Sequence, residues 1–563
     1  MKIIIVGGVA GGASTAARLR RLDEDAEITI YERSGYISYA NCGLPYYIGE
    51  IITDKEELTL QTPESFYNRF RVDAKVNHEV VKIDVNAKSV TVRNLKTGEE
   101  FQDCYDKLVL SPGAKAVKPN IPGIEHEKIF TLRTVEDTFR IYDYIKMTGA
   151  KSAVVVGGGF VGLEAAENLR HLGLDVTLAE AAPQVLSILD SDMVSQVHAL
   201  FRENGIKLLL GSGIASFEEK NGQIVGVFAD GEKVSADLIL LAIGVAPDSA
   251  LADKAGLKTG IKGSILVDTK METSIPDIYA VGDAVEVAHF VTGDKALISL
   301  AGPANKQGRI AADNIAGGDS HYKGTQGSSI IKLFDMTAAA TGINERQAKA
   351  AGLPYEKVIL SPASHASYYP GGKVMTMKVL FEKTTDKILG AQIVGFDGVD
   401  KRIDVLATAI RAGMKATELA ELELSYAPPY SSAKDPVNMA GFIIENLISG
   451  KVKQFYYEDV ASLPCDNSVF LLDTRTPAEY AAGHAKDFVN IPVDELRDRL
   501  AEIPKGKPIY VMCQSGVRSY IACRILSNAG YPCYNFVGGY RFYSMVEQER
   551  LINTSSHTCG MDK

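Results

Sequence analysis

At 563 residues the chain is longer than one hydrophobic core organises, so several domains are expected. Its composition, 46% hydrophobic and 23% charged, is that of an ordinary globular protein. A formal net charge of -10, with no Lys/Arg-rich run, argues against nucleic acid as a partner.

The N-terminal MKIIIVGG carries an apolar run too short for a signal peptide, and no stretch approaches the roughly 20 apolar residues of a membrane span. A cytoplasmic protein is expected. The opening segment KIIIVGGVAGGASTAARLRRL predicts a buried strand, a glycine turn at Gly7, Gly8, Ala10 and Gly11, and a helix; AEITIYE then returns as a strand ending at Glu32. Val9 stands where the second glycine of GxGxxG belongs. Cys42 follows in SYANCGLPYYIGE. A second unit of the same kind, SAVVVGGGFVGLEAAENLRHLG, satisfies GxGxxG with Gly157, Gly159 and Gly162, and LDVTLAE closes it at Glu180. Each glycine loop lets backbone N–H groups approach a pyrophosphate at a helix N-terminus.

Further along stand the strand-like LVLSPGA and LLAIGVAP, and TSIPDIYAVGDAVE with Gly282 and Asp283. HASYYPG (365–371) and LSYAPPYSSAKDP (424–436) follow. After about residue 450 a new α/β pattern begins: LLDTR (471–475), EYAAGH (479–484), VNIP, the apolar strand PIYVM, and CQSGVRS from Cys513. The seven cysteines are widely scattered without a CxxC pair, and the nine histidines show no ligand spacing, so no metal site is expected. Cys523 and Cys533 fall where core packing is expected.

Taken together, residues 1–445 resemble the pyridine nucleotide-disulfide oxidoreductases, flavoproteins that bind two dinucleotides. The resemblance implies FAD at Gly7, Gly8, Ala10, Gly11, Glu32, Gly282 and Asp283, and NAD(P)H at Gly157, Gly159, Gly162 and Glu180. The Glu180 carboxylate favours NADH by repelling a 2′-phosphate, with some NADPH use expected. A homodimer is implied, as is an α/β fold class: two Rossmann-like dinucleotide-binding domains plus an α+β dimerisation domain, followed by a small α/β rhodanese-like domain. The expected boundaries are FAD-binding 1–115 and 245–323, NAD(P)H-binding 116–244, dimerisation 324–447, linker 448–462, rhodanese-like 463–552 and tail 553–563.

Large disulfide reductases of the glutathione type carry two cysteines five apart at the Cys42 position; this chain has one. A single cysteine beside a flavin cycles through a mixed disulfide or a sulfenic acid. Oxidases and peroxidases of the family carry a histidine in the first glycine loop, where this chain has Ala10. The loop, NCGLPY and the two tyrosine segments instead resemble coenzyme A-disulfide reductases. That resemblance implies Cys42 as nucleophile, with Tyr368 and Tyr426 of the partner subunit assisting proton transfer. Ser14, Arg18, Arg21, Ser38, Asn41 and Lys434 match CoA-contacting positions; the alternative for Arg18, Arg20 and Arg21 is a solvated helix face.

The C-terminal motifs resemble the rhodanese family, with Asp473, Arg475 and a Cys-x4-Arg loop from Cys513 to Arg518. Related phosphatases use one more residue in this loop, so sulfur is favoured over phosphate. The expected function is FAD-dependent NAD(P)H reduction of CoA persulfide, polysulfide and CoA disulfide through Cys42. Cys513 would carry sulfane sulfur as supplier or acceptor, and a pantetheine arm could link the two sites. The alternatives are an NADH oxidase or peroxidase, and a sulfurtransferase or sulfur-relay carrier whose flavoprotein half senses redox state.

Overall fold

The apolar runs expected to be buried strands form the centres of two parallel sheets. In a computed structural model, which describes residues 1–464 and 466–555, the chain divides into two compact units. The first comprises Met1–Leu186 and Asn204–Gly327, the second Ser187–Glu203 and the chain from Ser328 onward.

In the first unit, Lys2–Val6 lies between Glu27–Glu32 and Lys107–Leu110, with Ile3 opposite both Ile28 and Lys107. Asp73–Val76 and Ile278–Ala280 complete the five-stranded sheet. Ile3, Ile4 and Ile5 are all fully buried, so both faces of the strand are covered, which is why the sequence reads as a continuous apolar run. Each such isoleucine contributes about 1.5–3 kcal/mol of burial. Helix Ala10–Leu22 turns its small residues Gly11, Gly12, Thr15 and Ala16 inward. Arg20 corrects the solvated-face reading. It is buried and donates to the carbonyls of Phe70, Asp23, Glu24, Ala26 and Arg71, tying the helix end to the chain beyond. The second parallel sheet runs Lys207–Leu210, Asp175–Glu180, Ser152–Val156, Leu238–Leu241, Ile129–Thr131.

In the second unit an antiparallel sheet runs Ser329–Leu333, Met336–Gly342, Ile388–Gly395, Met375–Glu382, Tyr355–Leu360, with helix Val399–Ala412 packed on it. A separate parallel sheet runs Gln454–Phe455, Cys533–Phe536, Ile509–Met512, Phe470–Asp473, Val489–Asn490. Residues 448–462 are therefore not a plain linker: Gln454–Phe455 is the edge strand of this last sheet, paired with Asn535 and Phe536. Helix Ser191–Glu203, inside the range expected for nicotinamide binding, groups with the second unit. Lys378 is the reason: its buried ammonium bonds Asp190 (3.0 Å) and Asp192 (2.8 Å), while Glu549 holds Arg202 and His198. The last helix, Gly539–Ser555, runs into the segment expected as a tail, and 556–563 lie outside the described residues. Cys523 is buried and Cys533 half-buried in the apolar core around Ile509 and Val511. Cys465 and Cys559 lie outside the described residues. No described helix is long and apolar enough to cross a membrane.

Candidate active sites

The two glycine loops are built alike. Gly7 and Gly157 take left-handed φ of 97° and 115°, and a Cβ on Gly12 or Gly162 would sit 1.9 Å from the carbonyl oxygen of Gly7 or Gly157. Only glycine permits that approach of helix to strand. Gly12 holds the third position of GxGxxG, with Val9 in the second, and was not among the expected site residues. The strand-end acids hook back onto the loops: Gly8 N–H donates to Glu32 (2.8 Å), and Gly158 N–H to Glu180 (2.6 Å).

Both following helices, Ala10–Leu22 and Phe160–His171, begin with no side-chain cap and no acid in the first turn. Helices Pro63–Phe70 and Val135–Thr148 carry full capping boxes. Uncapped N–H groups beside a glycine loop are the donors a dinucleotide pyrophosphate needs, so the residues present fit one at each site.

The loop carrying Cys42 is tied to the first glycine loop. Ser38, at a left-handed φ of 45°, donates its N–H to the Gly8 carbonyl at 2.8 Å. The chain then forms the short turn Asn41–Gly43 and helix Leu44–Ile48, leaving Cys42 exposed. Arg133 supports this loop from below. It donates from Nε to Ala114 O (3.0 Å) and from Nη2 to Asp283 (3.0 Å). With its amide turned to satisfy both atoms, Asn41 accepts from Arg133 Nη1 at 2.7 Å and donates to the Arg133 carbonyl at 3.1 Å. Gly282 N–H donates to the buried Gln307 (2.7 Å), fixing the other side of the Asp283 turn.

The surrounding protein, then the carboxylates of Glu164 and Asp283, push the Cys42 thiol above its ordinary range, and the Arg133 guanidinium opposes them. Glu164 itself is pushed up to about 7 by burial, against the hydrogen bond donated by Tyr46 at 3.1 Å. Arg133, Glu164 and Tyr46 were not singled out from the sequence. Arg133 sits in TLRTVED, which has no motif character, while Glu164 lies just beyond the GxGxxG that drew attention.

Ser14, Arg18 and Arg21 lie on one face of their helix by spacing. Ser14 bonds Asn305, Arg18 pairs with Asp313 (2.7 Å), and Arg21 is exposed. Ala10 is the first helical residue of that loop and brings no ionisable group. In the second unit Lys434 is exposed, and the Tyr368 and Tyr426 hydroxyls meet at 2.7 Å although their side chains lie far apart in sequence. Both tyrosines are open to solvent, at 72% and 45% relative exposure.

Around Cys513 the loop closes on the sulfur. The fully buried Sγ accepts from Gly516 N–H at 3.1 Å and Ser519 Oγ at 3.2 Å. Gly516 caps helix Val517–Asn528 at φ 100°. Beneath the loop Arg475 is buried, forked onto Asp473 (2.7 Å), and donates to Gly483 O (2.7 Å) and Gln514 Oε1 (3.3 Å). The Tyr540 ring lies 3.9 Å from its guanidinium. Arg518 forks onto Glu479 with two bonds of 2.7 Å, and holds that carboxyl down to about 2. Such a cradle of N–H and O–H donors stabilises a thiolate or a terminal sulfane sulfur. Ser519 and Glu479 lie inside motifs read from the sequence, yet only the fold shows what they touch. Asp190, Asp192 and Glu345 also converge, but the Lys378 ammonium bonds all three.

Two dinucleotide-type glycine loops, with the exposed Cys42 in a loop bonded to the first, joined in one chain to the N–H-lined Cys513 loop, define a flavoprotein oxidoreductase acting on sulfur. The chain belongs to the pyridine nucleotide-disulphide oxidoreductase family, matched over residues 1–308, with that family's dimerisation domain at 328–436 and a rhodanese-like domain at 457–545. It is similar to the reduced CoADR-RHD of Bacillus anthracis, at 49% identity and a TM-score of 0.95 over 98% of each chain. The NAD-dependent persulfide reductase from A. fulgidus is 38% identical, with a TM-score of 0.91 over 96% of this chain and 100% of its own. A coenzyme A disulfide reductase of Staphylococcus aureus (strain JH9) is 39% identical over 443 residues, 78% of this chain and 99% of its own. Family membership implies FAD and a nicotinamide dinucleotide, and the dimerisation domain points to a homodimer.

Proposed function

We propose that the protein is a cytoplasmic, homodimeric NADH-dependent reductase of CoA persulfide and CoA disulfide that works through Cys42, with Cys513 as a sulfane-sulfur carrier. The observation that carries this reading is the solitary Cys42 in a loop bonded to the flavin-type glycine turn, with Ala10 in place of an acid–base residue. The similar proteins named for CoA disulfide and persulfide reduction support it.

In the first step the Cys42 thiolate attacks the CoA-bound sulfur of the persulfide, forming a Cys42–S–S–CoA disulfide and releasing hydrosulfide; with CoA disulfide the group released is CoA thiolate. The raised affinity of Cys42 for its proton means that the thiol must first be deprotonated, against burial and the surrounding carboxylates. It acts on the stability of the product rather than on the speed of attack. A more basic thiolate is the poorer leaving group, so the mixed disulfide is favoured. Bound FAD and NADH would supply the electron pair that returns the mixed disulfide to two thiol groups. FAD would be held by Gly7, Gly8, Ala10, Gly11, Glu32, Gly282 and Asp283, and NADH by Gly157, Gly159, Gly162 and Glu180.

Asn41 and Arg133 orient the cysteine loop. Tyr368 and Tyr426 of the partner subunit deliver the proton to the departing CoA thiolate. Ser14, Arg18, Arg21, Ser38 and Lys434 contact CoA, whose phosphates suit the cationic side chains. The Cys513 loop, with Asp473, Arg475 and Arg518 as its frame, holds the sulfane sulfur.

The test is anaerobic NADH oxidation with CoA persulfide and CoA disulfide, run on the wild type and Cys42→Ser. Turnover is expected only in the wild type, with FAD bound equally in both. Full activity in Cys42→Ser overturns the reading. Rapid NADH consumption with oxygen alone turns it toward an oxidase, and thiosulfate transfer through Cys513 with negligible NADH turnover turns it toward a sulfur carrier.

A further inference from the structure

Tyr368 and Tyr426 are exposed residues in two loops outside the strands and helices, yet their hydroxyls meet at 2.7 Å. One buried side chain lies behind both loops. Arg402, on helix Val399–Ala412, is 1% exposed. From Nη2 it donates to the Ser364 carbonyl (2.9 Å), four residues before Tyr368. From the same nitrogen it reaches the Tyr430 carbonyl (3.3 Å), four residues after Tyr426, together with Ser431 Oγ (3.1 Å) and Asp435 Oδ2 (3.0 Å). Nε adds a second bond to Asp435 at 3.2 Å, and Nη1 returns to the Gly398 carbonyl at 3.1 Å.

The loops are also sewn to each other at this point. Ala366 N–H donates to Ser431 O (3.0 Å), and Ser431 Oγ donates to Asp435 Oδ2 (2.7 Å). Asp435 in turn caps helix Pro436–Ile448 through Val437 N–H at 3.0 Å. One residue earlier on the Arg402 helix, Lys401 donates to the Ser425 carbonyl (3.3 Å), beside Tyr426. A planar guanidinium offers several donors in fixed directions, which a lysine ammonium cannot reproduce.

We infer that Arg402 is a positioning residue, setting the Tyr368–Tyr426 hydroxyl pair by bracketing the two loops that carry it. The inference rests on the proposed role of those tyrosines in proton transfer. Arg402 touches neither hydroxyl, so its effect on the reaction runs through loop geometry alone.

A double-mutant cycle tests this with the full-length dimer, NADH and CoA disulfide. Tyr368→Phe combined with Tyr426→Phe is expected to lower kcat on the order of a hundredfold, the usual scale for lost proton transfer. Arg402→Lys is expected to lower kcat about tenfold while leaving the KM for NADH and the FAD content unchanged. Placed on the double tyrosine variant, Arg402→Lys should cost nothing further, because the pair it positions is gone. Because Arg402 is buried, Ser431→Ala serves as a milder second probe. It leaves the ion pair with Asp435 in place and should give the same non-additivity at smaller amplitude.

Losses that multiply in the combined variants overturn the bracket alone. Fully active tyrosine variants overturn both the bracket and the proposed proton-transfer role. Loss of FAD or of the dimer in both Arg402→Lys and Ser431→Ala assigns the network to folding and overturns the inference.

Discussion

Replacing Gly159 by alanine separates what the second glycine loop does for the protein from what it does for a dinucleotide. Gly159 caps helix Phe160–His171 at φ -80° and ψ -175°, a conformation alanine adopts freely, and no atom lies within 4 Å of where its Cβ would stand. The fold should accept Gly159→Ala with a stability change within about 1 kcal/mol, the less flexible unfolded chain offsetting alanine's poorer fit at the helix cap. The same methyl group occupies the approach of a pyrophosphate to the helix N–H groups. Losing one charge-assisted hydrogen bond costs about 1.5–3 kcal/mol, which is roughly a ten- to hundredfold rise in the Kd for NADH. Gly162→Ala is the contrasting control. Its Cβ would stand 1.9 Å from the Gly157 carbonyl oxygen, so strand and helix must part and stability itself should fall. Thermal unfolding of the FAD-loaded protein and fluorescence titration with NADH read the two effects apart. A stable Gly159→Ala protein with wild-type NADH affinity would refute the assignment of this helix N-terminus to the nicotinamide cofactor.

Arg475→Leu leaves Asp473 fully buried without its counter-charge and should destabilise the rhodanese-like sheet by about 3–5 kcal/mol. Hydrogen exchange at Ile509–Met512 in the full chain measures it, and a loss below about 1 kcal/mol contradicts the buried-pair argument. Glu479 titrates near 2 when folded, below the usual glutamate value, so its stabilisation is present at neutral pH and is lost as pH falls through that range. About a third of the pair is open to solvent, so Glu479→Gln should cost only about 1 kcal/mol at pH 7 and a small fraction of that at about pH 2. Glu164→Gln should move the pH midpoint of Cys42 alkylation downward, and Arg133→Met should move it upward, because those charges act on the thiol in opposite directions. Peptide mass spectrometry of the alkylated Cys42 follows both, and unchanged midpoints contradict the electrostatic picture.

What the sequence made legible were the features whose chemistry is local. Two strand–glycine–helix units, their closing acids Glu32 and Glu180, and the CQSGVR loop each fit in a short window, so spacing alone identifies them. Gly12 keeps the third GxGxxG position although Val9 fills the second, and only the distance from its Cβ position to Gly7 O shows the same close approach as at Gly162. Arg20 looked like a surface charge by helical position, but five carbonyls from separate turns close around it. Arg133 and Arg402 were invisible for a related reason. Each acts by joining segments distant in sequence, Asn41 with Asp283 in one case and Ser364 with Asp435 in the other, and no local pattern marks such a bracket. Residues 448–462 read as a linker because a two-residue edge strand has no periodicity to detect.

In the proposed reaction Cys42 forms a disulfide with CoA during turnover. Mixing enzyme that has Cys42 as a free thiol and FAD in the oxidised form with a slight excess of CoA disulfide, quenching in acid and mapping peptides without reductant tests it directly. One CoA should appear on the Cys42 peptide, disappear on treatment with dithiothreitol or further NADH, and never form in Cys42→Ser. Turnover that proceeds with Cys42 unmodified, or a CoA adduct confined to another cysteine, would contradict it.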